Sequence, residues 1–427
     1  MSHTILVKDA LVISADQAPF FGWVSVRDDL IVEVGPRAPP EANAYSCVID
    51  AQGGPLIPGL INAHAHSQST LTRGSAEGLP LDKWLPIIFR EMRRLTDEQA
   101  YWSALLTYGE ALLSGTTCII DMCQIPRAAA RAANVLGIRA ILAPFVADSL
   151  DYCPTLGESE TLIKESNGKL DRVQFWVGLA GLNTSTLAQA EQAAALARQY
   201  GVGFHTHCSE TKIEVERSRQ ETGRTPAARL HALNALGEKT LLAHCVWLSE
   251  EDRDLIASHG VHIAHCPQSN LKLGSGLAPV YDFLARGINV TLGSDGAKAN
   301  NRLDGFDAMK FASLLQKGSL HDPAVLTSRE VFAMATSNGA RLVGLDVGVI
   351  APGAKADLVL LRADALNLQP VLPETVLANL VHAARGGDVD TVIVDGRVVV
   401  EHGRLIALDQ AELAAHARQT AKELLAG

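Results

Sequence analysis

The chain has 427 residues, which exceeds one typical domain and fits one large α/β barrel with a smaller appendage. Hydrophobic residues make up 47% of it and charged residues 20%, so a sizeable core can be buried. The formal net charge of −10 argues against binding to a nucleic-acid backbone, which requires a basic face.

The chain opens with MSHTILVKDALVIS, which lacks the basic segment, long apolar stretch and small-residue cleavage site of a signal peptide. No apolar run approaches the length that spans a membrane, so we expect no membrane association. The seven cysteines are odd in number and form no CxxC pair. These features together indicate a reduced, cytoplasmic setting.

The sequences near both ends of the chain predict short β-strands. Before residue 55 the runs TILVKDALVISA and GWVSVRDDLIVEVG are typical of strands, and ADLVLLRA and VDTVIVDGRVVVEHG follow residue 349. The DG and HG pairs indicate antiparallel hairpins. We expect residues 1–54 and 349–427 to form one small β-sandwich, with a terminal helix at the end of the second segment.

Residues 55–348 alternate between apolar runs and stretches with helical periodicity. The eight runs are PLIPGLINAHAH, TTCIIDM, IRAILAPFVAD, VQFWVGLAG, GVGFHTHCSE, TLLAHCVWL, VHIAHCPQSN and INVTLGSD. Continuous apolar strands alternating with helices predict a parallel sheet covered on its outside. Eight of them predict a closed (β/α)8 barrel, a TIM-like fold of the α/β class.

Polar residues collect where these predicted strands end. They are His64 and His66 after the first strand, His205, His207 and Glu210 after the fifth, His244 after the sixth, His265 and Asn270 after the seventh, and Asp295 after the eighth. In such a barrel the carboxyl ends of the strands form one face, and that face carries the active site.

This set of imidazoles predicts a metal site. The sequence His64-Ala65-His66 places two imidazoles on one face of its strand, because side chains alternate along a strand. Such a pair alone is most often a surface or core pair. Histidines and an aspartate at the ends of four or more strands, however, are costly to bury without a metal or hydrogen bonds. Nitrogen and carboxylate ligands fit Zn²⁺, with Fe²⁺ possible. Cys208 and Cys245 each follow a site histidine, and period two points them away from the barrel centre.

The runs PGLINAHAH, HTHCSE, AHCVWL, HCPQSNLKLGSG and LGSDGAKANN together resemble the amidohydrolase superfamily. The branch they resemble holds the 5′-methylthioadenosine/S-adenosylhomocysteine deaminases, the guanine deaminases and the triazine hydrolases. The resemblance spans the whole chain, including the closing ADLVLL and VIVDG segments.

The resemblance implies roles for individual residues. The implied metal ligands are His64, His66, His207 and Asp295. It also implies that Glu210 is the proton-shuttling acid/base and that His244 polarises the bound water or the substrate. The predicted fourth strand ends in VGLAGLNTS, which has no lysine that could be carboxylated to bridge two ions, so we expect one divalent ion.

The implied reaction is the hydrolytic deamination of an amino-substituted nitrogen heterocycle. A metal-activated water attacks the ring carbon that bears the amine, and Asp295 accepts the proton of that water. Glu210 protonates the adjacent ring nitrogen and then the leaving amine, so that ammonia departs.

The substrate is less closely defined. Glu91 is the nearest candidate for the glutamate that binds ribose in the methylthioadenosine/adenosylhomocysteine deaminases, although its spacing from Trp84 is shorter than in that family. Asn270 and Lys272 are candidates to line the pocket or close its loop. Those deaminases have an arginine after strand 3 and a histidine after strand 4, where this chain has Pro144-Phe145 and Ala180. This disfavours S-adenosylhomocysteine and, less strongly, nucleosides in general, and it leaves a nucleobase, nucleoside, pterin or triazine-like ring open.

Two alternatives to deamination stay open. The first is a hydrolase that removes chloride or an alkylamine from a triazine-like ring, and the second is a non-catalytic scaffold with the same fold. Glu210 favours amine departure, because an amine needs a proton to leave and chloride does not. The intact polar set argues against the scaffold. The expected partners are a small heterocyclic substrate and further copies of the chain, as a homodimer or higher homo-oligomer.

Overall fold

A computed structural model describes residues 3–36, 39–169 and 172–426. The strands, in chain order, are β1 (Thr4–Val12), β2 (Phe20–Arg27), β3 (Leu30–Gly35), β4 (Cys47–Asp50), β5 (Pro55–Pro58), β6 (Leu60–Ala65), β7 (Thr116–Cys123), β8 (Arg139–Pro144), β9 (Val173–Phe175), β10 (Val177–Leu179), β11 (Phe204–Cys208), β12 (Thr240–His244), β13 (His262–His265), β14 (Asn289–Leu292), β15 (Leu358–Leu361), β16 (Val389–Val394), β17 (Arg397–Glu401) and β18 (Arg404–Leu405).

Helices connect most of the central strands. In chain order they are α1 (Leu81–Arg94), α2 (Asp97–Leu113), α3 (Pro126–Leu136), α4 (Leu156–Ser166), α5 (Leu187–Tyr200), α6 (Lys212–Thr222), α7 (Pro226–Ala232), α8 (Glu250–Ser258), α9 (Pro267–Lys272), α10 (Val280–Ala285), α11 (Ala297–Asn300), α12 (Gly305–Leu320), α13 (Ser328–Ala335), α14 (Ser337–Val343), α15 (Val376–His382) and α16 (Gln410–Ala426). Within the described ranges, none of them is both long and apolar enough to cross a membrane.

The centre of the molecule consists of two parallel sheets, as the alternating pattern predicts. One has the strand order β6-β7-β8-β9, and the other has the order β10-β11-β12-β13-β14. These strands coincide with the eight apolar runs, with β9 and β10 both falling in the fourth run. The α/β class with parallel strands is therefore confirmed.

The edges of the two parallel sheets approach each other on both sides. Between β9 and β10, the Trp176 N–H donates to the Leu142 carbonyl at 2.9 Å and the Val177 N–H donates to the Gly203 carbonyl at 2.9 Å. At the opposite edges, the Asp295 N–H donates to the His64 carbonyl at 2.9 Å, beside a parallel bridge between Ala65 and Asp295. The last contact brings the end of β14 next to the end of β6.

Strands from both ends of the chain share a separate mixed sheet. Its order is β18-β17-β16-β15-β5-β1-β2-β3, with β4 pairing β1, which makes nine strands. β5 lies between β1 from the N-terminal flank and β15 from the C-terminal flank. Both flanks of the chain thus join in one sheet, as their shared strand-turn pattern predicts.

The helices between the parallel strands begin and end at the residues that helix-terminus chemistry favours. The side chains of Thr186 and Thr211 accept N–H groups in the first turns of α5 and α6. The same two helices end at Gly201 and Gly223, which adopt left-handed φ angles of 62° and 72°. Short, well-defined helices return the chain to the next strand, so that every strand ends on the same side.

A long excursion after β6 covers the carboxyl ends of the strands. It contains a 3₁₀ turn, Ser67–Thr72, followed by α1. The C-terminal helix α16 packs against α2, α1 and this turn, and its buried Leu424 lies in one apolar cluster with Leu71 and Leu95. The last helix of the chain therefore supports the cover of the site from outside.

Candidate active site

Three histidines and one aspartate converge where β6, β11 and β14 end. One ligand atom from each of His64, His66 and His207 lies within 4.8 Å of the other two, and the same holds for His64, His244 and Asp295. The Nε2 atoms of His66 and His207 are 3.1 Å apart. Asp295 Oδ1 lies 3.7 Å from His64 Nε2 and 3.5 Å from His66 Nε2. The four predicted ligands thus meet at one point.

Hydrogen bonds on the far side of each ring set the tautomers of two of these histidines. His66 Nδ1 lies 2.8 Å from the Met122 carbonyl oxygen, and His207 Nδ1 lies 2.6 Å from the Ala180 carbonyl oxygen. A carbonyl oxygen only accepts, so each Nδ1 must carry the hydrogen. Each Nε2 then has a free lone pair directed into the cluster.

His64 reaches the same state through a second histidine. Its Nδ1 lies 2.8 Å from His205 Nε2, and His205 Nδ1 lies 3.0 Å from the Leu241 carbonyl oxygen. Because His205 must donate from Nδ1 to that carbonyl, its Nε2 accepts the hydrogen from His64. His205 therefore fixes the tautomer of His64.

The chemistry of this donor set fits a divalent metal ion. His64 is fully buried, and its Nε2 has no hydrogen-bond partner among the described residues. Burial holds the pKa of His64 and of His207 well below the usual value, so both imidazoles are neutral and able to ligate. Neutral imidazole nitrogens facing a carboxylate oxygen are the ligands that zinc takes in catalytic sites.

Two glycines allow the Asp295 segment to approach the first strand. A Cβ atom at Gly293 would lie 2.8 Å from His64 Cβ, and one at Gly296 would lie 2.3 Å from Ser69 Oγ. Both distances are shorter than real contacts allow. The sequence Leu-Gly-Ser-Asp-Gly therefore lets β14 bring its aspartate next to the β6 histidines.

The carboxylate of Asp295 is held in one orientation. Ser269 Oγ donates to its Oδ2 at 2.5 Å, and the Gly296 N–H donates to its Oδ1 at 2.7 Å. The residue has a left-handed φ of 59°, an unfavourable conformation for a side chain other than glycine. Such backbone strain is found at functional sites, where surrounding contacts maintain it.

Glu210 and His244 face each other beside the cluster. Glu210 Oε2 lies 3.8 Å from His244 Nε2, and Ser275 Oγ donates to Glu210 Oε1 at 3.1 Å. Glu210 is only 7% exposed, and this burial raises the pKa of its carboxyl group. A protonated carboxyl group near neutral pH can act as a general acid.

The pKa of the His244 ring is also shifted by its surroundings. Burial lowers the pKa of its ring, but the carboxylates of Glu210 and Asp295 outweigh burial and raise it. Its Nδ1 lies 2.8 Å from Asn270 Oδ1, which accepts the hydrogen. Nε2 is therefore the ring atom directed towards Glu210.

The placement of Asn270 differs from the expected one. Asn270 was predicted to bind substrate, but it is 1% exposed and lies behind His244. Among the described residues it does not line the cavity beside the cluster. Its contact assigns it to the orientation of His244, because α9 turns the residues after β13 back under the ring.

A cavity of about 520 Å³ opens beside the cluster. Its polar wall includes His66, His207, Glu210, His244 and Asp295. Its apolar wall includes Trp84, Ile88, Phe89, Met92, Phe145 and Leu424. The apolar side chains come mainly from the excursion after β6, and Leu424 comes from α16.

Glu91 lines this cavity, as predicted for a substrate-binding residue, but its carboxylate already has partners. Lys298 Nζ lies 2.7 Å from each of its oxygens, and Thr72 Oγ1 donates to Oε2 at 2.8 Å. Lys298 is fully buried, and burial lowers the pKa of its ammonium group. Lys272 donates to the Lys298 carbonyl at 3.0 Å, which closes the loop beneath this pair.

Sequence reasoning missed several of these supporting residues. Ser269 and Ser275 lie in the SNLKLGSG segment, where serine is too common to signal a contact. Lys298 lies three residues after Asp295, but its partner Glu91 is 207 positions away in the sequence. Glu214 follows Glu210 by four residues, a spacing that also occurs on any exposed helix.

Comparison with known proteins agrees with this geometry. Residues 56–399 match the sequence profile of the Amidohydrolase family. A 5′-deoxyadenosine deaminase of Methanothermobacter thermautotrophicus is 41% identical over 408 residues, which cover 94% of this chain and 95% of that protein. A 5-methylthioadenosine/S-adenosylhomocysteine deaminase of Moorella thermoacetica is 39% identical, covering 96% of this chain and 97% of the relative. The crystal structure of an adenosine deaminase from Xanthomonas campestris with bound zinc has a TM-score of 0.94 at 30% identity, covering 99% of each chain.

Proposed function

This chain belongs to the Amidohydrolase family and is a metal-dependent hydrolytic deaminase of amino-substituted nitrogen heterocycles, and we propose that its substrate is an adenosine nucleoside with a small, uncharged 5′ substituent. One observation carries the proposal. The lone pairs of His64, His66 and His207 converge beside a buried Glu210, at a cavity whose remaining wall is largely apolar.

We propose that one zinc ion binds His64, His66, His207 and Asp295. The unpartnered, buried Nε2 of His64 and the neutral state of the buried imidazoles support this assignment. The absence of a lysine in the segment after β10 supports one ion instead of a bridged pair. When bound, such an ion lowers the pKa of water, so that water can act as a nucleophile near neutral pH.

The proton transfers are assigned to three side chains of the protein. Asp295 accepts the proton of the attacking water, and its orientation is fixed by Ser269. Glu210 donates its proton to the ring nitrogen next to the amine-bearing carbon, takes up the hydroxyl proton that the water leaves on the attacked carbon, and passes that proton to the leaving amine. The raised pKa of Glu210, caused by its burial, supports this role, because it shifts the carboxyl group towards its acid form.

His244 is assigned the role of polarising the water or the substrate. Its Nδ1–H is held by Asn270, so the ring presents Nε2 to the reacting groups. The raised pKa of His244, which reflects the neighbouring carboxylates, favours a ring that carries a hydrogen on Nε2. Such a donor stabilises negative charge that develops during attack.

The apolar wall supports a small, uncharged 5′ substituent. Phe145 and Ala180 both line the cavity. By the resemblance described above, they stand where the methylthioadenosine/adenosylhomocysteine deaminases have an arginine and a histidine. A charged amino-acid tail would lose its hydration against this wall without a partner to replace it. We assign Glu91 to a sugar hydroxyl, which its carboxylate can accept in addition to the hydrogens from Lys298 and Thr72.

We also propose that the two parallel sheets form one closed (β/α)8 barrel that begins at β6, because Pro55–Pro58, which the sequence pattern assigns to the barrel, forms β5 of the mixed sheet. The hydrogen bonds of Trp176 to β8 and of Val177 to Gly203 just before β11, together with the contact between the ends of β14 and β6, support closure. Residues 1–54 and 349–427, joined in the mixed sheet by β5, would then be the two parts of a β-sandwich domain. A common apolar cluster that contains Val7, Val24 and Leu358 supports this division.

A cytoplasmic, homo-oligomeric protein is the setting that we propose. All seven cysteines are free thiols, which supports a reducing compartment. Tyr281, Phe311 and Leu314 expose 43%, 42% and 49% of their apolar side chains on the neighbouring helices α10 and α12. The two helices are in contact, since the Tyr281 N–H donates to Gln316 Oε1 at 3.2 Å, and exposed apolar side chains on adjacent helices are typical of an interface between subunits.

Ammonia release across a panel of compounds tests the substrate assignment. The panel holds 5′-deoxyadenosine, 5′-methylthioadenosine, adenosine, S-adenosylhomocysteine, guanine and a chlorotriazine. We expect the highest kcat/KM for the first two, a clearly lower value for S-adenosylhomocysteine, and no chloride release from the triazine. A preference for guanine or the triazine would overturn the nucleoside assignment, and a preference for S-adenosylhomocysteine would overturn the argument from the apolar wall.

A further inference from the structure

Glu214 makes an unusual pair of contacts with the segment that carries Glu210. It lies in the first turn of α6, and its side chain turns back towards the end of β11. Its Oε1 accepts the Ser209 N–H at 3.1 Å, and its Oε2 accepts the Glu210 N–H at 2.7 Å. Its own N–H donates to Thr211 Oγ1 at 3.2 Å. One carboxylate thus binds two successive backbone N–H groups.

The segment that Glu214 holds has a strained backbone. Ser209 adopts a left-handed φ of 51°, which is unfavourable for a residue other than glycine. This conformation points the N–H groups of Ser209 and Glu210 to the same side, where an anion can bind both. The Ser209 carbonyl accepts the Trp247 N–H at 2.9 Å, which ties the other side of the turn to the segment after β12.

The turn determines where the Glu210 side chain lies. Ser209 is fully buried and Glu210 is 7% exposed, so the turn has little room to relax. With the turn in place, the Glu210 carboxyl group lies between Ser275 Oγ at 3.1 Å and His244 Nε2 at 3.8 Å. A different φ at Ser209 would move the start of Glu210 and redirect its carboxyl group away from both partners.

We propose that Glu214 is a positioning residue for the reaction, whose carboxylate holds the Ser209–Glu210 turn so that Glu210 delivers its proton to the substrate. The proposal rests on the proposed function, since it assumes that Glu210 is the general acid. Glu214 also lines the cavity, but both of its oxygens are used by the turn. It therefore acts through Glu210 instead of through the substrate.

The carboxylate is essential to this role because it offers two acceptors. A glutamine side chain has the same shape but only one acceptor oxygen, and its amide group would face the second N–H as another donor. Glu214→Gln should therefore release one of the two N–H groups while preserving the packing of α6. Misplacing a catalytic group by a fraction of an ångström to one ångström can reduce the rate by up to about 100-fold.

The test is a double-mutant cycle with Glu210, measured on the metal-loaded enzyme with 5′-deoxyadenosine. We expect Glu214→Gln to reduce kcat by roughly 10- to 100-fold, with KM changed less than about twofold and metal content unchanged. In a Glu210→Gln background, adding Glu214→Gln should not reduce kcat any further, because the residue that Glu214 positions no longer transfers a proton. Glu216→Gln is the matched control, since Glu216 lies on the same helix, is exposed and pairs only loosely with Lys212 at 3.6 Å; it should keep wild-type kcat.

The possible results distinguish a failure of the positioning role of Glu214 from a failure of the proposed function. Wild-type kcat in Glu214→Gln, or a loss of the same size in the Glu210→Gln background, overturns the positioning role. If Glu210→Gln alone keeps full activity, the proposed function itself fails. If Glu214→Gln does not fold, Glu214→Asp tests the same proposal. Its shorter side chain keeps the charge but cannot reach both N–H groups. A folded Glu214→Asp variant with wild-type kcat overturns the proposal.

Discussion

The two walls of the cavity are built on different principles. The metal-binding wall consists of residues at the ends of β6, β11 and β14, and each ligand is oriented by a backbone carbonyl, a backbone N–H or a single buried side chain. The apolar wall comes mainly from the excursion after β6 and from α16, with Phe145 added from the segment after β8, and it is held by side-chain packing. The first wall is fixed by the strands, whereas the second can change without disturbing them. On the function proposed above, this difference would separate the residues that carry the chemistry, which lie at the ends of strands, from the residues that select the substrate, most of which lie in the cover of the site.

Loss of a ligand should have the largest effect. We expect His207→Ala to lose stoichiometric metal and to reduce activity at ambient metal concentration by at least about 10⁴-fold, because a ligand of the ion is missing. Elemental analysis of protein purified without chelator, together with the rate of ammonia release, measures both. His231→Ala, at an exposed histidine outside the cluster, serves as the control. Full metal content in His207→Ala would remove this residue from the ligand set.

Removal of the general acid should leave the metal wall intact. Glu210→Gln keeps the size of the side chain but cannot donate a carboxyl proton, so turnover should fall by roughly 10²- to 10⁴-fold. Its metal content and melting temperature should match the wild-type values. Comparing the metal content and turnover of this variant with those of His207→Ala distinguishes the residues that hold the ion from the residue that transfers protons. An unimpaired variant with full metal content would require a different acid.

Loss of the supporting histidine should weaken the metal wall without removing a ligand. In His205→Ala the Nδ1–H of His64 loses its acceptor, so the tautomer and the ring orientation are no longer fixed. We expect metal affinity to fall by about 10- to 100-fold, the usual effect of a residue that orients a ligand. Competition with a chromophoric chelator measures the dissociation constant. An affinity equal to that of the wild type would show that the strand alone orients His64.

Changes in the apolar wall should have the smallest effects. Phe145 packs edge-on against His66, with ring centroids 5.9 Å apart. Phe145→Leu should raise KM for 5′-methylthioadenosine by about 2- to 10-fold, the effect expected from the loss of one aromatic contact, with metal content unchanged. Steady-state kinetics measures the change, and Phe21→Leu, at a residue 48% exposed on the mixed sheet, is the control. A loss of metal in Phe145→Leu would contradict the independence of the two walls.

The same division explains what the sequence could predict. His64 and His66 share a strand face through period-two alternation, and Cys208 was predicted to point the other way. The structure confirms this, because Cys208 lies in the large apolar cluster while His205 and His207 face the site. Local periodicity is sufficient where the position of a residue depends on its own strand.

Contacts between distant segments were beyond such reasoning. The Glu91–Lys298 pair and the approach of Leu424 to the cavity depend on how loops and the last helix pack. Asn270 was wrongly expected to face the substrate, because no local pattern shows that α9 turns it behind His244. These positions depend on tertiary packing between distant segments, and no local sequence pattern predicts such packing.

The central claim is that the converging histidines and Asp295 hold one ion on which deamination depends. Its most direct test is to titrate metal-free protein with Zn²⁺ while following ammonia release from 5′-deoxyadenosine. We expect negligible release without metal and a rise in rate that levels off at one equivalent of Zn²⁺ per chain. Full activity in the metal-free protein, or a rise that continues to two equivalents, would contradict the account.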